Sequence, residues 1–188
     1  MDKMKAGDLM VPVTAFDTIS EDVTFYEALQ ALEKARQKHL EGEKKEKILL
    51  VTDENGKIIG KLSPIDLIRG LEPNYKQMDD KDTSFRYGFG YAKDAMEETY
   101  RLWQTPFKDL CKKAVDVHIR DVVRRFPEQQ TVESGDRLDK VFHRFVMGRH
   151  DSLFVSQDGE IAGMLLFSDI FDRVSETMKA CGIESGKQ

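Results

Sequence analysis

The chain contains two copies of one short pattern, and this repeat constrains the fold more than any other feature. The segment Gly60-Lys61-Leu62-Ser63-Pro64-Ile65-Asp66-Leu67-Ile68 reappears in altered form over residues 163–171. The distance is 103 residues both between Gly60 and Gly163 and between Asp66 and Asp169 (163 − 60 and 169 − 66). In the first copy Ser63 suits the N-cap of a helix, and Pro64 suits its first position. The pattern therefore predicts a strand that leads directly into a helix, twice.

Each copy has the same order of predicted elements: an extended segment, a helix, a strand, a turn, a strand and a helix. In the first copy these are Thr18-Ile19, 25–35, 48–51, Asn55-Gly56, 57–62 and 63–71. In the second they are Thr131-Val132, 138–146, 153–155, Asp158-Gly159, 161–166 and a helix that Ser168 caps. The apolar residues of both first helices recur at helical spacing, and Thr24 with Glu27 predicts a capping box. The offset between the copies falls from 113 to 103 residues, which predicts about ten extra residues within 37–47 of the first copy.

A single unit of this kind leaves one sheet face bare, so two units that pack their sheets together explain why the pattern is repeated. We place the first repeat at residues 1–71 and the second at residues 118–188. Residues 72–117 form an inserted segment. It has apolar residues at helical spacing (Ala92, Met96, Tyr100 and Trp103), followed by a second helix start at Thr105-Pro106. We expect this helical pair to cover the repeats or a second subunit.

Composition and motifs exclude several functional classes. The net charge is −5, which argues against sequence-independent nucleic-acid binding. The apolar runs are too short to span a membrane and no secretory signal is present, so we expect a cytoplasmic protein. The four histidines and two cysteines lack metal-ligand spacing. No nucleophile–base set or phosphate-binding glycine loop is visible, so we expect no enzyme activity.

The repeat resembles a tandem pair of CBS domains, the cystathionine beta-synthase-type regulatory module. The resemblance rests on the residue patterns of the two copies and covers about two thirds of the chain, without the inserted helices. It implies an α/β fold of two β-α-β-β-α units with pseudo-two-fold symmetry, with the sheets packed together and the helices outside. It also implies a regulatory homodimer that binds AMP, ADP, ATP or S-adenosylmethionine and signals to an effector protein.

The resemblance implies a nucleotide site in which each repeat contributes five residues. They are Thr18, Ile19, Ser63, Pro64 and Asp66 from the first repeat, and Thr131, Val132, Arg149, His150 and Asp169 from the second. Ser63 and Asp66 would bind ribose and phosphate, because a carboxylate accepts hydrogen bonds from vicinal hydroxyls. Arg149 and His150 would face phosphate, and the two extended segments would flank adenine.

Each of these assignments has a structural alternative. Ser63 and Asp66 can simply cap a helix. In the second repeat Leu166 takes the place of Ser63, so we expect unequal sites, with Ser168 as the cap. Arg149 and His150 can be a solvated loop, and the extended segments can be strand core. The alternative functions are a ligand-free dimerisation or interaction scaffold and, with less support, an enzyme that uses the same cleft.

Overall fold

The computed structural model describes residues 4–43, 47–71, 109–123, 125–126 and 128–180. The chain divides into two compact units: Phe16–Arg125, here the first unit, and Met1–Ala15 with Phe126–Gln188, here the second unit. The predicted helix over Ala92 to Trp103 and the start at Thr105-Pro106 lie outside the described residues.

The first unit contains a three-stranded sheet in the order β2-β3-β4. Its elements are β2 (Asp17–Ser20), α2 (Phe25–Leu40), β3 (Leu49–Thr52), β4 (Ile58–Leu62), α3 (Pro64–Gly70), α4 (Leu110–Asp116) and a 3-10 turn (Ile119–Asp121). Strand β2 is parallel to β3, because α2 forms the crossover between them, and β4 is antiparallel to β3. The central strand β3 is therefore paired on both sides.

Helix α2 packs its apolar stripe on one face of this sheet, as predicted. Phe25, Ala28, Leu32 and Ala35 are buried in one core cluster with the strands, whereas Leu29 at the edge of the stripe is 40% exposed. The predicted capping box begins the helix. The backbone N–H of Thr24 donates to Glu27 at 2.7 Å, and the N–H of Glu27 donates back to the Thr24 hydroxyl at 3.3 Å.

The second unit contains a four-stranded sheet in the order β1-β7-β6-β5. Its elements are α1 (Ala6–Leu9), β1 (Val11–Pro12), a 3-10 turn (Val13–Ala15), a second 3-10 turn (Glu128–Gln130), β5 (Thr131–Glu133), α5 (Leu138–Gly148), β6 (Ser152–Gln157), β7 (Glu160–Leu166) and α6 (Phe167–Ala180). Strand β5 is parallel to β6, and β7 is antiparallel to both β6 and β1. The repeat predicted from the sequence therefore recurs as the same strand–helix–hairpin–helix order.

The residues that precede β2 in the first repeat (6–12) and β5 in the second repeat (119–123) each pack in the unit that contains the other repeat. The N–H of Ala6 donates to the Asp136 carbonyl at 2.8 Å, and β1 pairs with β7. A Cβ on Gly163 would lie 2.5 Å from the Val11 carbonyl oxygen, so this close approach requires glycine. Likewise the N–H of Ile119 donates to the Val23 carbonyl at 3.0 Å. Residues 1–15, which we placed in the first repeat, therefore belong to the second unit. Residues 118–125, which we placed in the second repeat, belong to the first unit.

The two repeats differ in three places: the first helix with the loop after it, the hairpin turn and the final helix. Helix α2 has 16 residues and α5 has 11, so part of the predicted insertion extends the helix and the rest lengthens the loop that follows it. In the first hairpin the Asp53 N–H donates to the Lys57 carbonyl, which closes a three-residue loop with Gly56 at φ +76°. The second hairpin has the two-residue turn Asp158-Gly159. The final helices have 7 residues in α3 and 14 in α6.

Candidate functional site

Ser63 and Asp66 meet at the start of α3, directly after β4. The backbone N–H of Ser63 donates to Oδ2 of Asp66 at 2.8 Å, and the Ser63 hydroxyl donates to the same oxygen. Ser63 is buried and Asp66 is partly exposed. Oδ1 of Asp66 accepts no hydrogen bond from the described residues. The capping alternative is therefore realised, and it leaves one carboxylate oxygen for a further donor.

The strand register places the predicted β2 residues at the same end of the sheet as Ser63. Thr18 lies beside Leu50, and Leu50 lies beside Lys61. Ser63 follows β4 at the end where β2 and β3 begin, so it lies two strand spacings, about 10 Å, from the start of β2. Thr18 is exposed, and Ile19 packs partly against the core. Pro64 is exposed at the first position of α3.

The second unit lacks this capping pair. Helix α6 begins at Phe167, so Leu166 holds the position equivalent to Ser63 and Asp169 the position equivalent to Asp66. The expectation that Ser168 caps the helix is wrong, because Ser168 lies inside its first turn. The first N–H of the helix, that of Phe167, instead donates to the Asp151 carbonyl at 2.9 Å. Leu166 is buried and offers no hydroxyl.

The other predicted residues of the second unit occupy different environments. Thr131 is partly exposed on β5, and Val132 is 2% exposed within the core cluster. Arg149 is exposed and caps the end of α5 in a left-handed conformation with φ 49°. The His150 imidazole lies against Gly148, where an added Cβ would collide with the ring. The strand-core alternative therefore describes Val132, whereas Arg149 and His150 both lie in the short α5–β6 connection.

A groove of about 530 Å³ lies at the opposite end of the first unit's sheet. The residues that line it follow the carboxyl ends of β2 and β3 or belong to the segment after Val117: Glu21, Asp22, Asp53, Glu54, Asn55, Arg120, Asp121 and Arg125. Arg120 pairs with Asp22 at 2.7 Å, and Arg125 pairs with Glu21 at 2.8 Å. The sequence analysis missed this groove. Its only signal was the acidic pairs Glu21-Asp22 and Asp53-Glu54 immediately after strands.

Three carboxylates near helix starts have lowered pKa values. The Thr24 backbone N–H, followed by the Thr24 hydroxyl, lowers the pKa of Glu27. Burial raises the pKa of Asp136, but hydrogen bonds from Lys140 and from the Glu133 backbone outweigh it, so that pKa is lowered. The backbone N–H of Lys140 lowers the pKa of Asp139. These carboxylates are capping groups or partners in surface ion pairs, so their shifts indicate local structure.

Neither a metal centre nor a membrane helix is found in the part of the chain that the structure describes. No cluster of three or more His, Cys, Asp or Glu side chains there is placed to hold a metal ion. None of the described helices combines the length and apolar character that crossing a bilayer requires.

The comparisons with known proteins agree with this architecture. Residues 6–73 match the family model of the CBS domain. The crystal structure of CBSX2 in complex with AMP superimposes with a TM-score of 0.55 at 18% identity, over 94% of this chain and 98% of that chain. A CBS domain-containing protein of unknown function from Bacillus anthracis str. Ames Ancestor gives a TM-score of 0.60 at 13% identity, over 93% and 95%.

A third similar structure belongs to a larger protein. The cytosolic domain of the Mg²⁺ channel MgtE in complex with ATP gives a TM-score of 0.53 at 18% identity. That match covers 91% of this chain and 49% of the other. A search of the curated proteins finds no match to the sequence.

The two units define an α/β protein built from a duplicated strand–helix–hairpin–helix module. Residues 6–73 match the CBS-domain model, and the chain has the fold of the solved CBS-domain structures that it resembles. The fold class and the resemblance to CBS domains that were predicted from the sequence are thus confirmed. The packing of the two sheets against each other stays a prediction.

Proposed function

We propose that this chain is a non-enzymatic regulatory module that binds an adenosyl ligand and signals to a partner protein through a conformational or oligomeric change. The ligand class is AMP, ADP, ATP or S-adenosylmethionine, and the module acts as a homodimer in the cytoplasm. The observation that carries the proposal is the arrangement of Ser63 and Asp66 at the start of α3, which leaves Oδ1 of Asp66 open among the described residues.

The side chains of Ser63 and Asp66 at the start of α3 suit the binding of a nucleoside. The carboxylate of Asp66 is held in place through Oδ2 by the N–H and the hydroxyl of Ser63, so Oδ1 can accept a ribose hydroxyl without reorganisation. At the start of α3, Pro64 has no backbone N–H and that of Asp66 donates to the Ser63 carbonyl, so the N–H of Ile65 is the donor that can reach an anionic group. Thr18 and Ile19 flank the adenine, and the second repeat contributes Thr131, Val132, Arg149, His150 and Asp169. The structures of CBSX2 with AMP and of the MgtE domain with ATP support this ligand class.

The sites of the two repeats are proposed to be unequal. Leu166 stands where the first repeat has Ser63, so this position offers Asp169 no hydroxyl donor. Asp66 therefore contributes more to binding than Asp169. The loss of a hydrogen bond to a charged acceptor costs about 1.5–3 kcal/mol, which corresponds to roughly 10- to 100-fold in affinity.

Isothermal titration of the full chain with AMP, ATP and S-adenosylmethionine tests the proposal. We expect saturable binding of at least one of the three, weakened about 10- to 100-fold by Asp66→Asn and less by Asp169→Asn. The matched control is Glu27→Gln, which removes a capping carboxylate at α2 but no proposed ligand contact. Absence of binding by all three at millimolar concentration, or equal weakening by Glu27→Gln, would contradict the proposal.

The alternative function is a ligand-free interaction scaffold. It is favoured by the apolar side chains that the helices expose, among them Ile65 on α3 and Phe171 on α6, which are 62% and 60% exposed. The double variant Asp66→Ala with Asp169→Ala separates the two functions. A sensor loses its stabilisation by nucleotide in a thermal shift assay, whereas a scaffold shows none to lose and keeps its partner binding.

A further inference from the structure

Strand β6 begins with a buried hydroxyl beside an exposed carboxylate. Ser152 is 3% exposed, and its hydroxyl donates to Oδ1 of Asp151 at 3.0 Å. Asp151 itself is exposed to solvent. In the strand register Ser152 pairs with Leu166, which holds the position that Ser63 has in the first repeat. The hydroxyl that is absent at position 166 is therefore present on the adjacent strand.

The first repeat has the opposite arrangement of these two residue types. Ile48 is the counterpart of Ser152, because both directly precede the first core leucine of the central strand. The first repeat thus combines Ile48 with Ser63, whereas the second combines Ser152 with Leu166. A buried hydroxyl costs free energy unless it is hydrogen-bonded, and an aliphatic side chain fills the same position in the first repeat. The serine is therefore explained by its bond to Asp151 and not by packing.

The backbone of this Asp151–Ser152 pair is also held in place. The N–H of Phe167, the first of α6, donates to the Asp151 carbonyl at 2.9 Å. The side-chain amide of Gln130 donates to the Ser152 carbonyl at 3.1 Å. The carboxylate of Asp151 is thus fixed both through its own side chain and through its peptide, so little freedom is left to lose when a ligand binds.

The strand register places Ser152 on the sheet face that carries Thr131, a predicted adenine contact. Thr131 pairs with Phe154, and side chains two residues apart on a strand point to the same face. Leu153, between Ser152 and Phe154, points the other way into the core cluster with α5. One strand spacing across and two residues along separate the backbones of Thr131 and Ser152 by about 8 Å. A nucleoside whose base lies on Thr131 can therefore bring its ribose to the start of β6.

We propose that Asp151, held in place by Ser152, accepts the ribose hydroxyls of an adenosyl ligand in the second repeat, instead of Asp169. The inference rests on the proposed function and reassigns one residue of its site. A carboxylate offers about four lone-pair positions, so the bond from Ser152 leaves capacity for a ligand hydroxyl. Asp169 lies in the first turn of α6, where position 166 offers it no hydroxyl donor.

Isothermal titration of adenosine into the full chain that carries Asp66→Asn tests the inference, because this background weakens the site of the first repeat. We expect residual saturable binding, weakened a further 10- to 100-fold or so by Asp151→Asn and much less by Asp169→Asn. Asp151 is exposed, so the variant should fold, and its circular dichroism spectrum and thermal transition check this. The matched control is Glu133→Gln. Glu133 also accepts from a buried serine hydroxyl, that of Ser156 at 2.9 Å, but lies at the other end of the same sheet.

Titration with 2′-deoxyadenosine separates ligand contact from a structural effect. In the Asp66→Asn background adenosine should bind more tightly than 2′-deoxyadenosine, and Asp151→Asn should abolish most of this difference. Equal weakening of both nucleosides by Asp151→Asn would overturn the inference, as would an effect no larger than that of Asp169→Asn or Glu133→Gln.

The two proposals fail in different ways. If Asp66→Asn alone abolishes adenosine binding, this inference is overturned, while the proposed function stands on the first repeat. A native chain that binds none of AMP, ATP and S-adenosylmethionine contradicts the proposed function itself, and this inference with it.

Discussion

The two repeats share the same arrangement of three strands, to which β1 adds a fourth in the second unit, and they differ at the end of the hairpin. After β4, the first repeat has Ser63 and Asp66, which form a polar capping pair at the start of a seven-residue helix. After β7, the second repeat has Leu166 and Phe167 at the start of a 14-residue helix with an exposed apolar stripe. The strands are thus alike in both repeats, where packing restricts change, whereas the residues at the helix starts differ. The proposed ligand site depends on the first of these helix starts, because only that one pairs a hydroxyl with the carboxylate.

The largest expected effect tests whether the two sheets are equivalent scaffolds. Leu49 and Leu153 occupy matching positions on β3 and β6, because Val51 pairs with Gly60 as Val155 pairs with Gly163. They are 2% and 0% exposed. Replacement of either by Ala should lower the free energy of unfolding by about 2–5 kcal/mol. Urea denaturation followed by circular dichroism measures the loss, and a loss below 1 kcal/mol at one position alone would show that the scaffolds are unequal.

The hairpin turns allow a comparison in which packing plays no part. Gly56 and Gly159 have φ of +76° and +83°, and an added Cβ would meet nothing within 4 Å at either. An alanine at either position should therefore cost only the backbone strain of the left-handed conformation, about 1–2 kcal/mol. The same urea assay should give similar costs, although one loop has three residues and the other two. A clear difference would mean that loop length changes the strain.

The sequence predicted most of the scaffold because the scaffold follows from local patterns. The alternation of elements, the Thr24–Glu27 capping box and the turns at Gly56 and Gly159 are all short-range signals that the structure confirms. The repeat spacing predicted the insertion within residues 37–47, but its first four residues, 37–40, belong to α2 and not to the loop. These features could be predicted because each depends on residues that are neighbours in the chain.

Features that depend on distant residues could not be predicted in this way. The antiparallel pairing of β1 with β7 joins residues about 150 positions apart, and no local pattern in Val11-Pro12 indicates its partner. Ser168 looked like a cap because serine favours that position, but the buried strand β7 runs to Leu166 and sets the start of the helix. The groove between the β3–β4 loop and Arg120 likewise forms from three separate segments.

A smaller effect is expected at the start of α3. Ser63→Ala removes the hydroxyl that donates to Asp66 and should cost about 1 kcal/mol, the usual net value of one hydrogen bond. It should also weaken ligand binding, because Oδ2 of Asp66 loses one of its two donors. Ser63→Thr keeps a hydroxyl and is the matched control. Thermal unfolding and titration of both variants provide the measurement, and equal behaviour of the two variants would refute the orienting role of the hydroxyl.

The smallest expected effect concerns the pH dependence of stability and the first long helix of each repeat, α2 or α5. Thr24 and Glu27 cap α2, whereas the matching residues of α5 are Arg137 and Lys140, and Lys140 pairs with Asp136 instead. The lowered pKa of Glu27 means that its ionised form is favoured by folding, chiefly through the Thr24 backbone N–H. The contribution is therefore complete above the ordinary glutamate pKa and is lost as pH falls towards the lower value in the folded state. Glu27→Gln should flatten the acid side of the stability profile measured by urea denaturation at several pH values. Lys140→Gln should flatten it as well, because it removes the hydrogen bond and the charge that do most to lower the pKa of Asp136. An unchanged acid slope in Glu27→Gln would mean that the Thr24 contact forms equally in the unfolded chain.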